Sequence, residues 1–258
     1  MPLIALGKSE IEVELIDIKS SLAPIVFLHE GLGSVAMWRS RGDYWPDLVC
    51  QSTGRNGVVY SRRGYGQSSP VVDVRGANRL TPSYMHDEAW KVLPELLTTL
   101  QIEHPVLLGH SDGATIALLF ASRFSATACI AMAPHVIVED ISIRSIEAAK
   151  LAFESGELKT RLSKYHQDVE CAFWQWNDVW LSPAFRSFDI RENCRQIASP
   201  VLAMQGRQDA YGTLQQIQDI ETSSAMERQI IENCGHSPHR DQPEETLAYV
   251  TAFLADKA

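Results

Sequence analysis

The sequence predicts an α/β fold, with a mostly parallel, twisted sheet of about eight strands flanked by helices. Three observations support this prediction. Short apolar runs alternate along the chain with segments of helical periodicity. Most of these runs are apolar throughout, which is typical of strands that are buried on both faces of a parallel sheet. The alternation stops over residues 135–197 and then resumes, which indicates that a helical cap is inserted into one α/β domain.

The composition limits the size and the partners of the protein. The chain has 258 residues, 45% of them hydrophobic, and a net charge of −9. We expect one core domain of residues 1–134 and 198–258, with the cap at residues 135–197. The negative charge argues against a nucleic-acid partner, and no stretch has the roughly 20 apolar residues of a membrane span. Five widely spaced cysteines and no recognisable signal peptide favour a cytoplasmic protein, which we expect to be a monomer or homodimer.

The first half of the chain begins with a predicted hairpin. Apolar and acidic side chains alternate over residues 11–18, which predicts a strand with one solvent-exposed face. We expect this strand to pair with residues 3–6 through a turn at Gly7. Apolar runs predict further strands, and Thr81 and Pro82 have the residue types that open a helix. The expected strands are residues 25–28, 57–61, 105–108 and 127–132, and the expected helices are residues 37–50 and 81–100.

The second half opens with the cap, in which we expect helices at residues 142–153 and 157–172. An aromatic segment at residues 173–180 follows and contains Trp174, Trp176 and Trp180. These tryptophans either line a substrate pocket or form the ordinary core of the cap. The alternation of strands and helices then resumes, with expected strands at residues 200–204 and 229–232 and expected helices at residues 213–221 and 242–254. Ligands bind at the carboxyl ends of strands in such sheets, so we expect the cap to lie above that edge.

The pattern Gly-x-Ser-x-Gly at residues 109–113 stands between an apolar strand and an apolar helix. It predicts a very tight strand–turn–helix with Ser111 at the turn. Gly109 and Gly113 are needed because strand and helix come so close that a side chain at either position would clash. The helix behind the turn directs its free N–H groups at the serine. Ser111 is therefore the predicted nucleophile.

A serine nucleophile needs a base, and the base needs a group that orients it. Asp209 follows the strand at residues 200–204, and His236 follows the strand at residues 229–232. Both residues, like Ser111, lie just beyond strand ends and are expected at the same edge of the sheet. We predict that His236 is the base and that Asp209 orients it.

Other assignments of these roles remain open. Asp209 could instead be a turn residue that caps the following helix, and His236 could be an ordinary loop histidine. His239 is a weaker candidate for the base, because it lies further from the strand end. Asp178 and Glu139 are the next candidates for the orienting acid.

Acyl transfer also needs donors for the developing oxyanion. The backbone N–H of Asp112, the residue after the serine, is one predicted donor. Gly31 or Leu32, in the loop after the strand at residues 25–28, would supply the second. Glu30 belongs to the same loop and is expected to contact the substrate.

The loop that contains Gly31 also fits a rival function. Gly31-x-Gly33-x-x-Ala36 follows a strand and precedes a helix, as in a dinucleotide-binding fingerprint, and Arg62 could hold a 2′-phosphate. An earlier strand precedes this fingerprint, however, and no tyrosine is followed four residues later by lysine, as a short-chain dehydrogenase site requires. An NADP-binding oxidoreductase is therefore the less favoured alternative.

The spacing of Cys234, His236 and His239 could suggest a metal site. No other cluster of ligating residues completes it, and the hydrolytic chemistry needs no cofactor. We therefore expect neither metal nor cofactor, and a small molecule as the substrate.

The chain resembles the α/β-hydrolase fold superfamily over nearly its whole length. The segments that carry the resemblance are residues 29–34, 61–68, 109–113, 206–209 and 234–239. They are similar to the serine-nucleophile branch with a helical cap after the sixth strand, which includes esterases, lactonases, carbon–carbon hydrolases and haloperoxidase-like enzymes. The resemblance implies a serine hydrolase acting on a carboxylic ester, a lactone or a carbon–carbon bond. A non-catalytic ligand-binding protein with the same fold is the alternative.

Two residues depart from the pattern of this superfamily. Glu30 stands where glycine usually follows the histidine of the oxyanion loop. Asp112 stands where methionine, leucine, glutamine or tryptophan often follows the serine. Both leave the backbone donors in place, but they bring carboxylates close to the site.

Overall fold

The computed structural model describes residues 2–40 and 42–257. An eight-stranded sheet runs through this part of the chain and confirms the predicted fold class. Its strands are β1 (Leu3–Leu6), β2 (Ser9–Ile16), β3 (Ile25–Leu28), β4 (Gly57–Tyr60), β5 (Val106–His110), β6 (Ala128–Met132), β7 (Val201–Gly206) and β8 (Met226–Ile231). Their order across the sheet is β1-β2-β4-β3-β5-β6-β7-β8.

The sheet is antiparallel at one edge and parallel elsewhere. The strand β1 pairs with β2 as the predicted hairpin, and β2 pairs antiparallel with β4. All pairs from β4 to β8 are parallel. The strand predicted at residues 11–18 runs instead from residue 9 to residue 16. It ends where its antiparallel pairing with β4 ends.

Helices cover both faces of the sheet. They are α1 (Trp45–Thr53), α2 (Tyr84–Asp87), α3 (Leu93–Thr99), α4 (Asp112–Ala121), α5 (Asp140–Glu154), α6 (Glu157–Leu162), α7 (Val169–Trp180), α8 (Arg191–Cys194), α9 (Gln215–Gln218), α10 (Pro238–Asp241) and α11 (Pro243–Leu254). A π-helical turn (Glu88–Val92) joins α2 to α3, and 3₁₀ turns lie at Val35–Trp38 and Pro183–Ser187.

The side chains of β3 show how the sheet separates two cores. Val26 and Leu28 pack into the core that contains α4 and the aromatic residues of α7. Ile25 and Phe27, which point the other way, pack into the core beneath α1 and α11. Successive residues of a strand face opposite sides, so a fully apolar strand is what this central position requires.

Three helix predictions need correction. The helix expected at residues 37–50 is a 3₁₀ turn followed by α1, separated by a short two-stranded ladder of Arg39–Ser40 and Asp43–Tyr44. The helix expected at residues 157–172 is interrupted after Leu162, and α7 begins only where the side chain of Asp168 accepts a hydrogen bond from the Cys171 N–H. The helix expected at residues 213–221 is shortened to α9.

The helices α5 to α8 lie between β6 and β7 in the chain. Their aromatic residues share one hydrophobic core with α4. In the described ranges, no helix is long and apolar enough to cross a membrane. All five cysteines are buried and free.

Candidate active site

The turn between β5 and α4 holds Ser111 in a strained conformation. Its φ of 54° and ψ of −120° lie in a region of backbone conformation that residues other than glycine rarely adopt. A Cβ at Gly109 would overlap the backbone of Gly113, and one at Gly113 would overlap the carbonyl of Leu28. The two glycines therefore allow helix, strand and loop to meet closely enough to force this turn, as the sequence predicts.

Three side chains from separate loops meet at this turn. The Nε2 of His236 lies 2.9 Å from the Oγ of Ser111. The Nδ1 of His236 lies 2.9 Å and 2.8 Å from the two carboxylate oxygens of Asp209. Ser111 follows β5, Asp209 follows β7 and His236 follows β8, so the parallel strands bring all three to one edge of the sheet. The arrangement can pass a proton from the serine to the imidazole.

Asp209 is positioned to fix the tautomer of His236. Its carboxylate also accepts hydrogen bonds from the Tyr211 N–H at 2.7 Å and from the side-chain amide of Gln205 at 2.5 Å. Burial by itself would raise the pKa of Asp209, but its hydrogen bonds with His236 and the Tyr211 N–H outweigh burial and lower it. The charged carboxylate accepts the Nδ1–H of His236 and leaves Nε2 free to accept the proton of Ser111.

A cavity of about 280 Å³ opens above Ser111. Gly31, Leu32 and Asp112 border it beside the serine, where the predicted oxyanion donors should lie. Apolar side chains form much of the remaining wall. They include Met37, Ile146, Leu158, Leu162, Trp176 and Trp180.

Glu30 borders the same cavity and is paired with Arg240. The Nη2 of Arg240 donates to the Oε1 of Glu30 at 3.0 Å and to the carbonyl of Met37 at 2.8 Å. The ring of His110 lies 3.4 Å from the other Glu30 oxygen and bonds the carbonyl of His236 at 2.7 Å. Burial by itself would raise the pKa of Glu30, but the charges of Arg240 and the nearby imidazoles lower it well below its usual range.

Asp112 is fully buried beside Ser111. Its Oδ2 accepts a hydrogen bond from the hydroxyl of Tyr84 at 2.5 Å and lies 3.9 Å from a guanidinium nitrogen of Arg62. The indole N–H of Trp180 donates to the same Tyr84 hydroxyl at 3.0 Å. Burial raises the pKa of Asp112 above its ordinary value, although Arg62 and Tyr84 favour the charged form.

Comparison with known proteins places this chain in a family. The model of a family described as the alpha/beta hydrolase family matches residues 25–249. The chain belongs to this family. The matched range includes Ser111, Asp209 and His236, and membership in the alpha/beta hydrolase family supports a hydrolase activity.

Similar proteins within the alpha/beta hydrolase family carry different activities. The non-heme chloroperoxidase CPO-A1 of Kitasatospora aureofaciens is 25% identical over 243 residues, covering 81% of this chain and 80% of that protein. A proline iminopeptidase of Levilactobacillus brevis is 22% identical over 282 residues, covering 93% and 90%. The crystal structure of an enol-lactonase from Burkholderia xenovorans LB400 has a TM-score of 0.73 at 16% identity, with 99% and 100% of the two chains covered.

The three cap tryptophans do not share one location. Trp176 and Trp180 line the cavity, and Trp176 packs so closely on Gly31 that a Cβ there would overlap its indole. The expectation that Trp174 lines the pocket is corrected. Its indole N–H donates to Glu170 at 2.7 Å, and the guanidinium of Arg75 lies over its ring at 3.8 Å, on a different side of α7.

The two alternative acids lie in hydrogen-bond networks of their own, and the alternative base is enclosed by other rings. Asp178 accepts hydrogen bonds from Arg75, and Glu139 accepts hydrogen bonds from Thr213 and Gln216. His239 is buried, with its ring against Trp38, Trp45 and His110. Within residues 2–40 and 42–257, no group of three or more potential ligands is arranged to hold a metal ion.

Arg62 does not have the environment that the dinucleotide alternative requires. Its guanidinium is buried, donates to the carbonyl of Glu30 at 2.9 Å and faces Asp112. The carboxylate of Asp112 would repel a 2′-phosphate at that position. The guanidinium of Arg62 therefore interacts with groups of the protein itself and is not placed to bind the phosphate of a dinucleotide.

Of the residues that border the cavity and escape the sequence analysis, three have aromatic or charged side chains. They are His135, Tyr211 and Arg240. His135 and Tyr211 lie shortly after the ends of β6 and β7, and Arg240 lies in α10, the helix that follows β8 and His236. Their place after strand ends is the signal that could have found them.

Proposed function

We propose that this protein is a serine hydrolase that cleaves a small-molecule carbonyl compound, most simply a carboxylic ester. The observation that carries the proposal is the continuous set of hydrogen bonds from Ser111 through His236 to Asp209 beside a cavity of about 280 Å³. This arrangement has the geometry of a nucleophile, a base and an orienting acid.

In the proposed reaction, His236 Nε2 takes the proton of Ser111 while Oγ attacks the carbonyl carbon. The oxyanion that forms accepts hydrogen bonds from the backbone N–H groups of Asp112 and of Gly31 or Leu32. The imidazolium then protonates the leaving alcohol, and an acyl-enzyme remains on Ser111. His236 next removes a proton from water, whose oxygen attacks the ester carbon, and returning that proton to Ser111 releases the acid.

The helices α5 to α7 would act as a cap that selects the substrate. Ile146 of α5, Leu158 and Leu162 of α6, and Trp176 and Trp180 of α7 all border the cavity. A pocket with these walls favours a substrate whose acyl or alcohol part is largely apolar. The division into core and cap and the monomeric or homodimeric state in the cytoplasm remain our predictions.

The proposal is tested with a panel of p-nitrophenyl esters, lactones and ring-cleavage dienones, assayed with the wild type and with Ser111→Ala. We expect turnover of at least one class, and a rate reduced by roughly 10⁴ to 10⁶ in Ser111→Ala. A variant that keeps more than about a tenth of the rate would show that Ser111 is not the nucleophile. The panel also distinguishes ester, lactone and carbon–carbon bond cleavage.

A further inference from the structure

Two serines of α5 donate hydrogen bonds to the loop that carries Asp209. The hydroxyl of Ser142 donates to the carbonyl of Tyr211 at 2.5 Å. The hydroxyl of Ser145 donates to the carbonyl of Ala210, also at 2.5 Å. Three positions separate the two serines, so both lie on one face of α5. The helix therefore holds the two residues that directly follow the predicted orienting acid.

These two hydroxyls differ from a typical serine hydroxyl of a helix. Within helices, serine side chains often bond a carbonyl of the preceding turn. Ser155, at the carboxyl end of α5, does this and donates to the carbonyl of Ala152 at 3.0 Å. A hydroxyl has one proton to donate, and Ser142 and Ser145 give theirs to another segment of the chain.

The bond of Ser145 reaches the carboxylate of Asp209 through a single peptide group. The carbonyl that Ser145 binds belongs to the peptide group whose N–H, that of Tyr211, donates to Oδ1 of Asp209 at 2.7 Å. Because a peptide group is planar, holding its carbonyl fixes the direction of its N–H. The same Oδ1 lies 2.9 Å from Nδ1 of His236. A continuous series of hydrogen bonds thus leads from α5 to the imidazole.

A second set of bonds attaches the far end of the loop to the start of α5. The carboxylate of Glu139 accepts hydrogen bonds from the N–H and the hydroxyl of Thr213, at 2.9 Å and 2.7 Å. The side-chain amide of Gln216 donates to the same carboxylate at 2.6 Å. These bonds remain when the hydroxyl of Ser145 is removed. The removal should therefore loosen the peptide group beside Asp209 without detaching the loop.

We propose that Ser145, supported by Ser142, is a positioning residue for the hydrolytic reaction. Its hydroxyl holds the peptide group that donates to Asp209, and Asp209 held in this way keeps the imidazole of His236 aligned with Ser111. The inference rests on the proposed hydrolase function. In the described part of the chain, neither serine borders the cavity above Ser111, so both act through Asp209 and not by contact with the substrate.

The kinetic test compares the wild type, Ser145→Ala and the double variant Ser142→Ala/Ser145→Ala on the ester that the wild type hydrolyses fastest. We expect kcat to fall by about tenfold in Ser145→Ala and by up to about a hundredfold in the double variant, because a small misplacement of reacting groups has effects of this size. KM should stay within about twofold, since no contact with the substrate is lost.

Ser155→Ala is the matched control, because it removes a serine hydroxyl whose hydrogen bond stays within α5. It should leave kcat and KM unchanged. A kcat within about twofold of the wild type in the double variant would overturn the proposal. A change confined to KM, or an equal loss of kcat in Ser155→Ala, would overturn it as well.

A spectroscopic measurement follows the same hydrogen bonds in the resting protein. The proton between Nδ1 of His236 and the carboxylate of Asp209 should resonate far downfield in the proton NMR spectrum, because the bond is charge-assisted. Its loss in His236→Ala assigns it. We expect this resonance to move upfield and to exchange faster with water in Ser145→Ala, and to keep its position in Ser155→Ala. An unmoved resonance in Ser145→Ala would overturn the proposal.

The two measurements together separate this inference from the proposed function. A shifted resonance in Ser145→Ala, without turnover of any ester by the wild type, would contradict the hydrolase and retain the positioning role. Turnover by the wild type, with kcat and the resonance unchanged in Ser145→Ala, would contradict the positioning role alone. If the double variant does not fold, Ser145→Ala decides by itself, since Ser145 is only partly buried.

Discussion

Arg240 and Glu30 form an ion pair across the rim of the cavity, with Nη2 and Oε1 3.0 Å apart, although 210 residues separate them in the chain. The pair joins the loop of the predicted oxyanion donors to the short helix that follows His236. The carboxylate at position 30, which departs from the usual glycine, therefore has a structural partner. Its charge is compensated within the protein before any substrate binds.

Replacing Glu30 by glutamine should alter how stability depends on pH. The pKa of Glu30 is lowered in the folded protein, so its contribution is present above the ordinary glutamate pKa and is lost as the pH falls. The difference in unfolding free energy between the wild type and Glu30→Gln should be larger at pH 7 than at pH 4. Urea denaturation at both values measures it, and an equal difference would contradict the lowered pKa.

Asp209→Asn should reduce kcat by roughly 10⁴, because the amide no longer holds His236 in the tautomer that accepts the serine proton. Asp178→Asn is the matched control, since Asp178 pairs with Arg75 away from His236. We expect it to leave kcat unchanged. Initial rates on the ester that the wild type hydrolyses fastest give kcat for both variants. A loss of rate in Asp178→Asn with a normal rate in Asp209→Asn would assign the orienting role to Asp178.

Trp176→Ala and Trp174→Ala should differ although both remove an indole from α7. Trp176 lines the cavity, so its loss should weaken turnover of bulky acyl esters by about 1 to 3 kcal/mol and affect acetyl esters less. Trp174 packs beneath Arg75, so its loss should lower the melting temperature and change both substrates equally. The kcat/KM ratio of a bulky ester to an acetyl ester distinguishes the two, and equal ratios would make Trp176 ordinary cap core.

The strain at Ser111 should be visible in the stability of its variants. The positive φ of Ser111 is unfavourable for any residue with a Cβ and costs of order 1 to 3 kcal/mol. Ser111→Gly should therefore unfold at a higher temperature than Ser111→Ala. Thermal denaturation of the two variants makes the comparison, and a more stable alanine variant would mean that the turn relaxes without strain.

The geometry of the candidate active site could be predicted from the sequence because each of its determinants is local. Gly109 and Gly113 impose the turn at Ser111, and strand ends place Asp209 and His236 at the same edge. Parallel pairing then brings residues together that are more than 100 positions apart. No knowledge of the cap is needed for that step.

The residues that form the walls of the cavity could not be predicted from the sequence in the same way. Nine of the twelve residues of α7 are buried, so apolar spacing could not tell which tryptophan faces Ser111. Trp174 was misplaced for this reason. The pairing of Glu30 with Arg240 depends on a contact between distant loops, which no local pattern specifies.

The central claim, that Ser111 is an activated nucleophile, is tested most directly by labelling with a fluorophosphonate. The wild type, Ser111→Ala and His236→Ala are treated with the reagent, and intact mass and peptide mapping locate the label. We expect one adduct on Ser111 in the wild type, none in Ser111→Ala and very slow labelling in His236→Ala. An unlabelled wild type, or a label of equal yield in Ser111→Ala, would contradict the claim and favour a non-catalytic binding protein.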